Sequence, residues 1–197
     1  KDIIHSGTDR LIVSMEGADQ RTYEKYRKSG DLQKVKEGLE NLSREKKKQG
    51  AKTPFIVIQS LVFKHNQHQL DDIKELADHL GADQISFKSA QIYNYKYKAQ
   101  LIPDNPKHSR YTINSDGDLQ LKNRLRNRCF RIWNSYVITF DGQMLPCCFD
   151  KKGKYPVADL SEQNFAQGWK SQAFNDFRKQ ILQNRHAVDI CRNCTGN

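Results

Sequence analysis

The chain has 197 residues, 37% of them hydrophobic and 28% charged, with a formal net charge of +10. This length admits one large domain or two small ones around a modest core. No run approaches the ~18 apolar residues of a membrane span, and the opening residues do not read as a secretory signal, so the chain reads as cytoplasmic with no membrane partner. It begins at Lys1 rather than a methionine and runs quickly into a strand-like segment, which reads as part of a longer protein.

"RLIVSM" at 10–15 is short, apolar and β-branched, the composition of a buried strand. After a charged stretch, Leu32, Val35, Leu39 and Leu42 recur at intervals of three and four, which predicts an amphipathic helix stopped by Gly50 and Pro54. "FIVIQSLVF" at 55–63 is a second buried strand. Leu70, Ile73, Leu76, Ala77 and Leu80 mark a second helix capped by Gly81, and "QISFKS" is a third strand. Helices alternating with strands imply an α/β fold with parallel pairing. Three strands do not close a barrel, so a strand edge is left open. This predicts a homo-oligomer or some other cover for that edge.

The pattern breaks down over residues 91–128. This segment holds 8 basic and 3 acidic side chains, half of the excess charge. Tyr93, Tyr95 and Tyr97 alternate with polar residues. Such a run can stack on bases, but it reads first as a half-exposed edge strand. The charge reads first as a solvated connector and not as a nucleic-acid surface. Further on, "YVITFDGQMLPCC" predicts a hairpin with a tight primed turn at Asp-Gly. "SQAFNDFRKQIL" is a helix with Phe174, Phe177 and Ile181 on one face.

Five cysteines is an odd count, and without a secretory signal metal binding is favoured over disulfides. Cys129 precedes the hairpin, Cys147 ends it, and Cys191 and Cys194 form a C-x-x-C. Four thiolates from three places suffice for tetrahedral zinc and equally for an iron–sulfur cluster; spacing does not choose between them. A thioredoxin-like redox pair is disfavoured, since that C-x-x-C opens a helix after a strand. Arg124, Arg126, Arg128 and Arg131 flank Cys129, and positive charge stabilises a thiolate.

The spacing Cys129, Gly142, Cys147, then Cys191-x-x-Cys194 resembles the C-terminal auxiliary-cluster domain of radical S-adenosylmethionine enzymes, called SPASM or, in its shorter form, twitch. "ITFDGQMLPCCFD" is similar to that family's hairpin, and "DLSEQNFAQGWKSQAFNDFRKQI" to the helix after it. The segments around the first three strands resemble strands four to six of the radical-SAM partial barrel. The resemblance implies half of a (β/α) partial barrel over 1–100, a basic linker over 101–128 and a small α+β iron–sulfur domain over 129–197. It implies a 4Fe–4S auxiliary cluster on Cys129, Cys147, Cys191 and Cys194, with zinc as a possible substitute. S-adenosylmethionine would be a cofactor of the full-length protein. Ser14, Arg27 and Gln59 match positions near that cofactor.

The family's C-x-x-x-C-x-x-C motif is absent. The chain therefore resembles the C-terminal half of an oxidoreductase or maturase, inactive without the missing N-terminal half. The implied substrate of the whole is a peptide, a protein or a small molecule. Cys148, next to the ligand Cys147, is a candidate for the substrate cavity. The alternative is a zinc-stapled Cys₄ module that binds nucleic acid or a protein partner.

Overall fold

The computed structural model describes residues 2–92 and 98–194. The alternating tyrosines at 93, 95 and 97 lie outside the described residues. The chain divides into two compact units, Lys1–Gln120 and Leu121–Asn197. No helix among the described residues is long and apolar enough to cross a membrane.

The first unit opens with a short helix α1 (Asp2–His5) and strand β1 (Arg10–Ser14), followed by α2 (Gln20–Tyr26), α3 (Leu32–Gln49), β2 (Phe55–Val62), α4 (Leu70–His79) and β3 (Gln84–Ser89). The strands form a parallel sheet in the order β1-β2-β3, with Ser14 opposite Gln59 and Gln59 opposite Ser86. The α/β expectation holds in this unit. Among the described residues β1 and β3 each keep one unpaired edge.

Local chemistry sets the helix ends. Asp31 accepts from the backbone N–H of Gln33 and Lys34 at the start of α3, and Gly50 closes it in the left-handed region at φ 61°. Helix α2 falls within the stretch that reads as merely charged. Its N-cap, Asp19, accepts from Thr22 N–H, and its Tyr23 is 5% exposed.

Both crossovers cover one face of the sheet. Ile56 and Ile58 of β2 share a core with Leu39 and Leu42 of α3 and with Ile73, Ala77 and Leu80 of α4. Side chains alternate along a strand, so Val57, Gln59 and Leu61 point to the other face, and their register partners with them. Ser14, Gln59 and Ser86 thus form a polar row across three strands, away from the helices. Each of the three is half-buried.

A short helix α5 (Lys98–Leu101) and two short strands, β4 (Tyr111–Ile113) and β5 (Leu119–Leu121), follow. The strands pair as a two-stranded sheet. Between them Asn114 accepts from the N–H groups of Asp116 and Asp118, and Gly117 takes φ 81°.

The second unit is built on an antiparallel sheet of β6 (Val137–Ile138), β7 (Gln143–Leu145) and β8 (Ala158–Asp159), followed by helices α6 (Phe165–Trp169) and α7 (Gln172–Asn184). The hairpin forms, but its turn is not the primed pair that Asp-Gly suggests. Thr139 N–H donates to Gln143 O at 2.9 Å, and only Gly142 (φ 86°) has a positive φ. The loop therefore has three residues, 140–142, with glycine in the left-handed position where the strand bulges.

Helix α6 starts on an Asn164–Gln167 capping box and α7 on Ser171. Phe174, Phe177 and Ile181 of α7 pack with Met144, Ile132 and Val188, and with Cys129 and Cys191. Gly168 lies where a Cβ would come within 2.9 Å of Ala158 Cβ and 3.2 Å of Met144 Sδ, so α6 needs glycine to approach the sheet.

Candidate metal centre

All five cysteines are free thiols. Cys129, Cys191 and Cys194 are each 9% exposed, Cys147 is half-buried and Cys148 is exposed. Cys129 lies between the arginine-rich segment and a 3-10 turn at Arg131–Trp133. Cys147 follows β7, and its Sγ accepts from Phe149 N–H at 3.5 Å. Cys191 ends a second 3-10 turn, Asp189–Cys191, and Cys194 N–H donates to Cys191 O at 3.0 Å.

These thiols share one electrostatic neighbourhood. Burial pushes the Cys147 thiol up to about 12, and the charges of Cys148, Cys194 and Cys129 push the same way, against a weaker pull from Phe149 N–H. Burial also raises Cys191, with Cys194 and Cys129 adding to the rise and Arg185 opposing it. A metal that binds Cys147 and Cys191 must displace protons that burial helps to hold there.

Arg185 is the residue that sequence reasoning passes over. It follows the end of α7, is 2% exposed, and donates from Nη2 to Cys194 Sγ at 3.3 Å and from Nη1 to Arg128 O. Its backbone N–H donates to Asn127 Oδ1 at 3.0 Å, while Asn127 Nδ2 donates to Gln183 O at 2.7 Å. The segment leading into Cys129 is thereby fastened to the end of α7, near the C-x-x-C. A cleft of about 560 Å³ opens beside Cys129 and Arg185, with Arg124, Arg126 and Arg128 in its wall.

Cys147 and Cys148 differ in exposure although they are adjacent. Both residues lie past the end of β7, in a turn where Asp150 N–H donates to Cys147 O at 3.0 Å. Cys148 faces a cavity of about 690 Å³ that includes Phe140, Lys151 and Lys152, and Arg131 Nη1 stands 3.7 Å from its Sγ.

In the first unit, Ser14 and Gln59 are register partners on the face away from the helices. Arg27 is engaged elsewhere. Its Nε and Nη2 donate to the two oxygens of Glu16, which is 1% exposed, at 2.7 and 3.0 Å. This contact and its proximity to Glu16 raise the Arg27 guanidinium above its ordinary value, against burial. Neither Glu16 nor Ser86 stands out in the sequence.

Residues 129–195 match the family model described as SPASM, an iron-sulfur cluster-binding domain. The chain carries a SPASM domain. The match runs from the first of the buried cysteines to just past the last. Among curated proteins, the chain is 34% identical over 62 residues to an S-adenosyl-L-methionine-dependent 2-deoxy-scyllo-inosamine dehydrogenase from Niallia circulans, covering 31% of this chain and 25% of that enzyme.

Two solved structures of BtrN are also similar. One, of selenomethionine BtrN in an open conformation, has a TM-score of 0.32 and 19% identity over 72% of this chain and 56% of that one. The other, of BtrN with AdoMet and 2-DOIA, has a TM-score of 0.34 and 22% identity over 72% of this chain and 60% of that one. The chain thus spans about a quarter of the dehydrogenase's length and somewhat over half of each BtrN chain.

The SPASM domain's four thiols are a donor set that suits an iron–sulfur cluster, and by ligand type a single zinc ion as well. Thiols with N–H donors at Cys147 and Cys194 are of the kind that iron–sulfur centres use as ligands and as acceptors of sulfur-directed hydrogen bonds. Arg185 Nε is buried without a partner, so a cation stands beside these sulfurs with unspent hydrogen-bonding capacity. Among the described residues no three of the His, Cys, Asp and Glu side chains come close enough to hold one metal ion.

Proposed function

We propose that this chain is the C-terminal part of a radical S-adenosylmethionine oxidoreductase, and that its SPASM domain holds a 4Fe–4S auxiliary cluster on Cys129, Cys147, Cys191 and Cys194. The observation that carries this reading is the set of four thiols, three of them buried, within the matched domain and beside a buried guanidinium. A bound cluster supplies one-electron chemistry. The chain's own residues bind it, shield it from water through the packing of Ile132, Phe177 and Val188, and hold its first and last ligands together through Asn127 and Arg185.

In the longer protein, a 5′-deoxyadenosyl radical from S-adenosylmethionine would take a hydrogen from the substrate. The dehydrogenase named above makes oxidation of a small-molecule alcohol the first reaction to test, with a peptide or protein as the other substrate class. Ser14 and Gln59, on the open sheet face, are proposed to face S-adenosylmethionine. Arg27 is proposed to take part through the one guanidinium nitrogen that Glu16 leaves free. Alone, the chain is proposed to be inactive. Cys148 is proposed to face the substrate.

The test is anaerobic reconstitution with iron and sulfide. The reading expects a broad absorption near about 400 nm that Cys147→Ala removes. Stoichiometric zinc in protein purified without oxygen, with no cluster formed on reconstitution, would favour the zinc-stapled alternative.

A further inference from the structure

The second unit buries two arginines, and they are accommodated differently. The Arg178 guanidinium lies 3.7 Å from the Phe174 ring centroid, 4.7 Å from that of Trp169 and 5.0 Å from that of Trp133. It also donates to Ile132 O and Trp169 O. Three ring faces thus meet its charge, although its Nη2, like Arg185 Nε, is buried without a partner. Among the described residues, Arg185 has neither a ring nor a carboxylate beside it. Its side chain donates to one carbonyl, Arg128 O, and to Cys194 Sγ, and it also acts on the Cys191 thiol. Its Nε is buried without a partner.

The adjoining cleft deepens the imbalance, because among the described residues its wall carries Arg124, Arg126 and Arg128 with Arg185 and no acidic residue. A buried cation with no anion is costly to fold around. The missing negative charge belongs where the guanidinium already touches a ligand sulfur. Four thiolates on a cluster supply it, since a Cys₄ iron–sulfur centre is anionic overall.

We infer that Arg185 is the resident counter-charge of the auxiliary cluster and holds its reduction potential up. This rests on the four cysteines carrying a cluster, as proposed above. The role is that of a positioning and tuning residue. A fixed positive charge beside the centre favours the state with one more electron, and Nη2 donates to one ligand sulfur while Nε remains free for the cluster.

The test uses the full chain, reconstituted without oxygen, as wild type, Arg185→Gln and Arg185→Lys. Redox titration followed by electron paramagnetic resonance gives the reduced-to-oxidised ratio at each potential. Arg185→Gln should lower that ratio at least tenfold at a fixed potential, a fall of ~59 mV for a one-electron couple. Arg185→Lys should stay within about threefold of wild type, because it keeps the charge. A Gln variant within threefold of wild type overturns the inference, and so does a Lys variant that falls as far as Gln.

If Arg185→Gln holds no cluster, thermal unfolding of the metal-free chains decides. Melting at or above metal-free wild type supports a charge that serves the cluster. Melting well below it means a structural arginine and overturns the inference. Failure of the wild type itself to take up a cluster is a different result, and overturns the functional reading beneath this one.

Discussion

Arg27 grips Glu16 with two parallel hydrogen bonds, at 2.7 and 3.0 Å, eleven residues apart in sequence. The carboxylate is 1% exposed, whereas the Arg27 side chain keeps 37% of its surface in water. The pair ties the end of the first strand to the loop after α2. Removing the arginine strands a buried charge. Arg27→Ala should therefore cost about 1–3 kcal/mol, less than a fully buried pair because water screens the guanidinium. Urea denaturation of the metal-free chain measures this. Arg27→Ala with Glu16→Gln should recover part of the loss, and no recovery would mean the pair is not the cause.

Asp83 gives a pH dependence with a definite sign. Burial works to raise its carboxyl, but the Ile56 N–H and the Lys46 ammonium outweigh it and hold the carboxyl below the usual range. A depressed folded value stabilises the fold above the unfolded value, about 3.9, and that contribution is lost as pH falls through the folded value. The advantage of wild type over Asp83→Asn should be constant near neutrality and shrink below about pH 4. Denaturation curves from pH 7 to pH 3 check it, and an advantage that grows on acidification would contradict it.

The cysteine doublet should separate by reactivity. Without metal, Cys148 is exposed, whereas burial pushes Cys147 up to about 12. Iodoacetamide near pH 8 should label Cys148 well before Cys147, and Cys147 labelling should keep rising into the alkaline range. Peptide mass spectrometry against time reads both. Equal rates at the two sites would contradict the arrangement.

Gly168 should not tolerate a methyl group. A Cβ there would lie 2.9 Å from Ala158 Cβ and 3.2 Å from Met144 Sδ. Gly168→Ala gains helix propensity but overpacks the junction of α6 and the sheet, with a net loss of about 1–2 kcal/mol. Thermal unfolding measures it, and a stabilised variant would contradict the packing.

Much of the fold is legible in the sequence where periodicity and end signals agree. Leu32, Leu39 and Leu42 mark α3, and Asp31 and Gly50 close its two ends as their chemistry requires. The three strands stand out because β-branched runs are bounded by turns. Helix α2 is hidden because a seven-residue helix that buries little beyond Tyr23 has no stripe to detect. The Asp116–Gly117 turn between β4 and β5 carries a recognisable signal, but it lies in a segment whose charge dominates its appearance.

At the hairpin the loop's existence is legible and its type is not. Asp-Gly permits either a two-residue primed turn or a three-residue loop ending on glycine, and flanking pairing chooses. At the candidate site, spacing points to the cysteines. Glu16, Ser86 and Arg185 are not legible, because their roles depend on burial and long-range register. Nothing local distinguishes Arg185 from the exposed arginines at 124, 126 and 128.

The central claim is that Cys129, Cys147, Cys191 and Cys194 hold one iron–sulfur cluster and Cys148 does not. The most direct measurement is iron and sulfide content with electron paramagnetic resonance, after anaerobic reconstitution of wild type, Cys147→Ala and Cys148→Ser. Wild type and Cys148→Ser should each carry about four irons and four sulfides per chain, and Cys147→Ala should lose the cluster's signal. Loss of the cluster in Cys148→Ser with retention in Cys147→Ala would contradict the assignment.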